Sequence, residues 1–211
     1  MPEDFGIEGK YLVRGTERIL PVADLPLAGA HNISNVLAAC ALACLAGARL
    51  SALAKGLRSF RGLPHRMQRV ALRGGVEWLD DSKGTNVGAT VAALNGLAPA
   101  LGGPSRKAVL ILGGEGKGQN FAPLVPAIRA HALHVLLIGR DAALIEKALA
   151  ASGIPLERAA SMEKAVMRAA QVAPPGNAVL LSPACASFDM FRDYKHRGEV
   201  FAAAVKALRH G

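Results

Sequence analysis

The segment DDSKGTN, residues 80–86, decides how the chain around it folds. The short apolar run before it, residues 76–79, predicts a buried strand, and the Ala-rich run at residues 87–97 predicts a helix. Thr85 or Asn86 is the expected N-cap of that helix. A charged surface turn is the simplest interpretation of the segment alone. In open α/β sheets, however, ligands bind beyond the carboxyl ends of the strands, where this segment would lie.

Downstream of this segment, apolar runs without polar alternation are separated by helical patterns. The predicted strands are residues 107–112, 133–138, 154–159 and 178–181. The predicted helices are residues 121–132, 141–151, 161–172 and 188–208. Strands of this kind are buried on both faces, so the pattern predicts an α/β fold with a mostly parallel sheet and helices on both faces.

The first 61 residues follow a different pattern. Two β-prone runs predict a hairpin and two apolar runs predict helices, at residues 10–14, 17–22, 33–46 and 51–59. Asn32 and Ser51 are the expected N-caps of the two helices. A single hairpin is marginally stable, so it either pairs with further strands or packs against the helices. Gly62 and Pro64 interrupt the helical pattern, which places a domain boundary after residue 61.

The composition favours a globular protein that binds small anions. Of the 211 residues, 51% are hydrophobic, and Lys and Arg exceed Asp and Glu by 25 to 16. The basic residues are scattered singly and aromatic residues make up 4%, which favours small anionic ligands over nucleic acid. No apolar run approaches the roughly 20 residues of a membrane span, and residues 1–10 lack a signal-peptide pattern. A cytoplasmic location is therefore expected.

Two loops predicted at the carboxyl edge of the sheet combine small residues with polar groups. The loop GGEGKG, residues 113–118, is not a Walker A motif, but it brings Lys117 to the edge as a point charge for a carboxylate or phosphate. In the second loop, Ser187 and the N–H groups around Phe188 are expected at a helix N-terminus, which suits a carboxylate. Cys185 is not expected to be a nucleophile because no basic partner can be placed beside it.

Five motifs resemble the Mur ligase family, in the same order and with similar spacing. They are GAHNISN (residues 29–35), GLPHRM (62–67), DDSKGTN (80–86), GGEGKGQNF (113–121) and SPACASFDMF (182–191) with the RG that follows it at residues 197–198. The resemblance covers nearly the whole chain and is closest to the members that add D-glutamate to UDP-N-acetylmuramoyl-L-alanine in peptidoglycan precursor synthesis. Folylpolyglutamate synthases, from the same superfamily, are disfavoured by Lys83 and Thr85.

The resemblance also implies how the chain is divided. Residues 1–61 resemble the C-terminal remnant of the central ATPase domain, and residues 62–211 resemble the C-terminal Rossmann-like domain. The phosphate loop of the family and its magnesium-binding residues have no counterpart here. No metal ligand is therefore expected on this chain, its catalytic residues stay unassigned, and the isolated chain is expected to be inactive. The remnant is expected to expose apolar surface that promotes self-association.

Site residues follow from the resemblance, position by position. The residues implied to bind D-glutamate are Thr85, Lys117, Ser187, Phe188 and Tyr194. Asn32 and Asn35 match positions near the adenine of ATP, and Arg66, Asp81 and Lys83 match positions on its ribose and phosphate side. The complete enzyme would use ATP and Mg²⁺ and proceed through an acyl phosphate. A non-catalytic module that binds D-glutamate, a nucleotide or a partner protein remains the alternative.

Overall fold

The computed structural model describes residues 4–25, 30–100 and 106–208, with the backbone alone at residues 30–31 and 98–100. The chain divides into two compact units, Met1–Gly62 (unit 1) and Leu63–Gly211 (unit 2). Gly29 and the side chain of His31, both in the first of the five motifs, lie outside this description.

Unit 1 is a three-stranded antiparallel sheet with two helices. Its elements are β1 (Phe5–Glu8), β2 (Tyr11–Arg14), β3 (Glu17–Pro21), α1 (Ala30–Leu45) and α2 (Leu50–Ser59), with the strands in the order β1-β2-β3. The predicted hairpin is the β2–β3 pair. Both ways of stabilising it are found. Strand β1 pairs with β2, and Leu12 and Leu20 of the hairpin pack in one core with residues of α1 and α2.

The predicted helix caps of unit 1 are wrong. Helix α1 begins at Ala30, so Asn32 lies in its first turn. The N-cap of α2 is Arg49, without a side-chain hydrogen bond, and Ser51 lies inside the helix. Leu50 packs against the core of unit 1, and this burial extends α2 by one residue beyond the predicted start.

Unit 2 contains a six-stranded, mostly parallel sheet. Its strands are β4 (Gln68–Arg73), β5 (Val76–Asp80), β6 (Ala108–Gly113), β7 (Ala132–Ile138), β8 (Leu156–Arg158) and β9 (Ala178–Leu181). They lie in the order β4-β5-β9-β6-β7-β8. The β4–β5 pair is antiparallel and the other pairs are parallel.

Helices cover both faces of this sheet, as predicted. They are α3 (Val87–Ala100), α4 (Leu124–His131), α5 (Ala142–Leu149), α6 (Met162–Val172) and α7 (Tyr194–Ala207). Alternate residues of β6 point to opposite faces. Leu110 and Leu112 pack in a core with α3, α4 and α5, whereas Val109 and Ile111 pack in a second core with α6 and α7.

Helix α7 begins later than predicted. It starts at Tyr194, and the Asp193 carboxylate caps it by accepting a hydrogen bond from the His196 N–H at 2.8 Å. The residues before it form a turn, in which the Ser187 carbonyl accepts from the Phe191 N–H at 2.8 Å. The prediction that Ser187 and Phe188 lie at a helix N-terminus is therefore wrong.

Candidate functional site

The loop between β5 and α3 is held by its own polar groups. The Ser82 N–H donates to Asp80 Oδ1 at 2.8 Å, and the Gly84 N–H donates to the Asp81 carbonyl at 2.8 Å. Asn86 Oδ1 accepts from the Ala89 N–H at 2.9 Å, which confirms Asn86 as the N-cap of α3. The N-terminus of α3 thus follows directly from the loop that carries Lys83 and Thr85.

Asp81 is a nearly buried carboxylate, with 8% of its surface exposed. Its Oδ2 accepts from the Ser182 hydroxyl at 2.8 Å, and its Oδ1 accepts from the Met67 N–H at 3.3 Å. Burial raises the pKa of Asp81 to about 6, although the bonds from Ser182 and Met67 oppose the rise. A side chain at Gly84 would collide with this carboxylate, since its Cβ would lie 2.7 Å from Asp81 Oδ2.

Arg197 of α7 is fully buried and connects two of the loops. Its guanidinium donates to the Ser82 hydroxyl (2.9 Å), the Ser82 carbonyl (2.8 Å) and the Cys185 carbonyl (3.1 Å). Burial lowers the pKa of Arg197 to about 10, so the group is still charged at neutral pH. Burial of Cys185 raises the pKa of its thiol to about 12, although the Arg197 charge opposes the rise, so the thiol is unreactive even though a basic residue lies beside it.

A histidine–aspartate pair lies beside this arginine. His65 Nδ1 is 2.7 Å from Asp80 Oδ2, and the His65 ring meets the Tyr194 ring edge-on at 6.0 Å. Gly198 of α7 makes the pair possible, because a Cβ there would lie 2.5 Å from Asp80 Oδ2 and closer still to His65. Helix α7 can therefore approach the end of β5 closely.

The glycine-rich loop after β6 is joined to two other loops. Glu115 and Ala186 exchange backbone hydrogen bonds of 3.0 Å, which form an isolated antiparallel bridge to the loop after β9. The Gly116 N–H donates to Asp141 Oδ2 at 2.7 Å. Asp141 is the N-cap residue of α5 by position, but its side chain makes no capping bond, contrary to the pattern expected of an aspartate there.

Two lysines of the loops lie over aromatic rings. Lys117 Nζ is 5.7 Å from the centre of the Phe188 ring, and Lys83 Nζ is 4.2 Å from that of Tyr194. Both distances allow a cation–π interaction. Phe188 is 65% exposed and Lys117 is exposed, so this pair is open to a ligand. Ser187, beside Phe188, is 3% exposed.

Non-glycine residues with positive φ occur, within the described residues, at His65 (60°), Met67 (47°), Lys117 (51°) and Ala184 (55°). Lys117 and Ala184 lie in the loops after β6 and β9, and His65 and Met67 lie in the segment just before β4. His65 and Met67 contact the β5–α3 loop, since the Lys83 N–H donates to the His65 carbonyl at 3.0 Å and the Met67 N–H to Asp81. Such backbone costs energy and persists where the surroundings enforce it, often at functional sites.

The residues assigned from the sequence are thus distributed over both units. Thr85, Lys117, Ser187, Phe188 and Tyr194 lie in loops of unit 2 or at the start of α7, together with Arg66, Asp81 and Lys83. These loops are bonded to one another, since the Ala184 N–H donates to the Gly84 carbonyl at 2.9 Å. Asn32 and Asn35 lie in α1, in unit 1. Arg197 and Gln119 lie in motifs of the family resemblance but were assigned no role from the sequence, because their partners Ser82 and Ala184 lie far away along the chain.

Two kinds of feature are absent from the part of the chain that the structure describes. No group of three or more His, Cys, Asp or Glu side chains is arranged to hold a metal ion. No helix there has the length and hydropathy that crossing a membrane requires.

The model of the Mur ligase glutamate ligase domain matches residues 65–185, more than half of the chain. The matched region includes the β5–α3 loop, the glycine-rich loop and Cys185. The chain belongs to the Mur ligase family. This confirms the resemblance inferred from the five motifs.

Proteins named UDP-N-acetylmuramoylalanine–D-glutamate ligase are similar to this Mur ligase chain. The one from Thiobacillus denitrificans is 53% identical over 206 residues, which cover 98% of this chain and 42% of that protein. The one from Aromatoleum aromaticum is 54% identical over 213 residues, with 98% and 44% covered. The chain therefore spans less than half the length of these relatives.

Solved structures of Mur ligases and related enzymes share the fold. UDP-N-acetylmuramate–alanine ligase from Thermotoga maritima superposes with a TM-score of 0.69 at 17% identity, covering 93% of this chain and 42% of that one. The bifunctional folylpolyglutamate synthase/dihydrofolate synthase from Yersinia pestis gives 0.64 at 20% identity, covering 94% and 44%. At these identities the likeness concerns the fold alone.

Proposed function

We propose that this chain is the C-terminal part of an ATP-dependent Mur ligase that adds D-glutamate to UDP-N-acetylmuramoyl-L-alanine in peptidoglycan precursor synthesis. The similarity to the D-glutamate ligases of Thiobacillus denitrificans and Aromatoleum aromaticum supports this choice within the family. Residues 1–61 would be the remnant of the central ATPase domain, and residues 62–211 the domain that receives the amino acid.

The proposal depends on one observation. Three loops that carry a cation, hydroxyl groups and aromatic rings are hydrogen-bonded to one another. D-Glutamate has two carboxylates and an amine, so its site needs cationic and neutral hydrogen-bond donors. The loops of Thr85, Lys117 and Ser187 are bonded to one another through Gly84–Ala184 and Glu115–Ala186. In our proposal Lys117, beside Phe188, binds a carboxylate, and Thr85, Ser187 and Tyr194 complete the site.

The nucleotide assignments are part of the same proposal. Asp81 keeps free lone pairs besides its bonds to Ser182 and Met67, and ribose hydroxyls are suitable donors to them. Arg66 and Lys83 would serve the phosphate side, and Asn32 and Asn35 of unit 1 the adenine. In our proposal the Mg²⁺ belongs to the complete enzyme and is not assigned to residues of this chain.

In this proposal unit 2 contributes orientation to the reaction. The L-alanine carboxylate would take the γ-phosphoryl group of ATP to give an acyl phosphate and ADP. The D-glutamate amine would then attack the carbonyl carbon and lose a proton, and phosphate would leave as the amide forms. Lys117 and the hydroxyl groups would hold the carboxylates so that the amine faces that carbon, which lowers the entropic part of the barrier.

The binding half of the proposal is tested by calorimetry on the purified chain. We expect D-glutamate to bind in preference to L-glutamate, and Lys117→Met to weaken binding about tenfold or more, since a charge-assisted hydrogen bond contributes roughly 1.5–3 kcal/mol. Lys147→Met, an exposed lysine on α5, is the matched control and should leave the affinity unchanged. Equal binding of both enantiomers, or an unaffected Lys117→Met variant, would refute the assignment.

The same preparation tests activity. Because the sequence has no phosphate loop, we expect no amide product when ATP, D-glutamate and UDP-N-acetylmuramoyl-L-alanine are supplied to this chain alone. Product above background would contradict that expectation. Tight D-glutamate binding that does not change with ATP would instead favour a non-catalytic binding module.

A further inference from the structure

Gln119 follows the glycine-rich loop, and its side-chain amide bonds to three separate segments. Its Oε1 accepts from the N–H of Val87, the first residue of α3, at 3.1 Å. Its Nε2 donates to the Gly116 carbonyl at 3.0 Å and to the Ala184 carbonyl at 3.2 Å. The amide therefore connects the start of α3, the loop after β6 and the loop after β9.

A primary amide is the group that these three partners require. It offers one acceptor oxygen and two N–H donors, and all three functions face a complementary backbone group. A rotated amide would place donors against the Val87 N–H and an acceptor against two carbonyls. The three contacts thus fix both the rotamer of Gln119 and the separation of the three segments.

The three segments lie next to three of the residues proposed to bind D-glutamate. Thr85 lies two residues before Val87, Lys117 directly follows Gly116, and Ser187 lies three residues after Ala184. The loop that carries Lys117 has strained backbone there, with φ of 51°, so it depends on contacts that hold it. The Gly116 carbonyl accepts from both the backbone N–H and the side chain of Gln119, which provides such contacts.

We propose that Gln119 is a positioning residue that sets the spacing of Thr85, Lys117 and Ser187 around the acidic amino acid. This inference rests on the proposed function, because the ligand is D-glutamate in both. Gln119 acts through the three loops and does not itself contact the substrate.

Gln119→Glu is the most specific test. It keeps the side-chain shape and the oxygen that accepts from the Val87 N–H, but it replaces the donating nitrogen with an oxygen that faces the Gly116 and Ala184 carbonyls. Asn120→Asp is the matched control. It makes the same chemical change one residue away, on an exposed side chain whose Oδ1 accepts from the Ala122 N–H at 3.0 Å, a bond that a carboxylate preserves. Gln119→Ala, which only deletes the contacts, replaces Gln119→Glu if that variant does not fold.

Two readouts are compared, the D-glutamate dissociation constant and amide hydrogen exchange by residue. We expect Gln119→Glu to weaken D-glutamate binding about tenfold or more and to speed exchange at residues 87, 116–118 and 184–187, with β6 unchanged. Asn120→Asp should alter the affinity less than twofold and leave exchange unchanged.

The outcomes separate this inference from the function on which it rests. If the unmodified chain binds D-glutamate and Gln119→Glu binds it equally well, the positioning role is refuted and the proposed function stands. Weaker binding without faster exchange in the loops also refutes it, because Gln119 would then contact the ligand directly. If the unmodified chain does not bind D-glutamate, the proposed function fails, and the exchange comparison alone decides whether Gln119 fixes the loops.

Discussion

Unit 1 and unit 2 differ in how completely they enclose their apolar residues. In unit 2 every residue of β6 and β9 is buried, and helices cover both faces of the sheet. Among its described residues, unit 1 has a core of Leu12, Leu20, Val36, Cys40 and Leu53. Its helix α1 leaves Leu42 67% and Leu45 86% exposed.

The difference shows where the stability of the chain resides. Hydrophobic stabilisation grows with the apolar area removed from water, and a small unit buries a smaller fraction of its surface. Unit 2 is therefore expected to have the larger free energy of unfolding. It can hold buried polar groups such as Asp81 and Arg197 and strained loops at its sheet edge.

Core truncation should give the largest effect. Leu110→Ala should lower the free energy of unfolding of unit 2 by about 2–5 kcal/mol, because Leu110 is fully buried in β6 between well-packed neighbours. Trp78, the single tryptophan, lies in unit 2 and reports denaturant unfolding by fluorescence. Leu144→Ala, an exposed leucine of α5, should cost less than about 0.5 kcal/mol.

Leu12→Ala makes the corresponding change in unit 1. Leu12 is also fully buried, but its small core can relax around the gap, so we expect a smaller loss, measured by amide exchange in β2. A loss as large as that of Leu110→Ala would remove the proposed contrast between the units.

The buried carboxylate of unit 2 should give a pH-dependent effect of intermediate size. Because the pKa of Asp81 is raised to about 6 in the folded chain, its contribution to stability is complete below the ordinary aspartate pKa of about 3.9 and is lost as the pH rises through about 6. Between pH 4 and pH 7, the free energy of unfolding of the Asp81→Asn variant should therefore rise, relative to that of the unmodified chain, by up to about 3 kcal/mol.

Unfolding curves at several pH values measure this difference. Asp24→Asn in unit 1 is the comparison, since that carboxylate forms a surface ion pair with Arg58 at 2.8 Å and should contribute less than about 1 kcal/mol. If the free energies of unfolding of Asp81→Asn and the unmodified chain differ by the same amount at every pH in this range, Asp81 ionises normally.

Helix capping should give the smallest effect. Ser161 caps α6 by accepting from the Lys164 N–H at 3.3 Å, whereas Ser51 lies inside α2. Ser161→Ala should cost about 1 kcal/mol, and Ser51→Ala should be neutral or stabilising by a few tenths, because alanine is the better helix former. Thermal unfolding of the two variants measures both. Equal destabilisation would mean that Ser51 has a capping role after all.

The sequence predicted the parts of the fold that depend on local pattern. The apolar runs at β6, β7 and β9 require burial on both faces, so they predicted the covered parallel sheet. The alternation of strands and helices then placed the loops of Asp81, Lys117 and Ser187 at one edge. These features follow from periodicity within a few residues.

The features that could not be predicted depend on contacts between distant residues. Gln119 and Ala184 are 65 residues apart, and Arg197 and Ser82 are 115 apart, so no spacing rule connects them. Helix α7 also starts later than the sequence predicted. The residues before it form a turn that is closed at the Ser187 carbonyl, and Asp193 then caps the helix. Strand β1 was missed because FGIE is short and gains its structure by pairing with β2.

The place of β9 in the sheet has a consequence during protein synthesis. The strand of residues 178–181 separates the β4–β5 hairpin from β6, β7 and β8 and pairs with both neighbours. A nascent chain leaving the ribosome cannot close this sheet until that strand has emerged, so the inner edges of β5 and β6 remain unpaired while α4, α5 and α6 are being translated. Such unpaired strand edges are prone to aggregate, so the partly made chain is most exposed to misfolding in that interval.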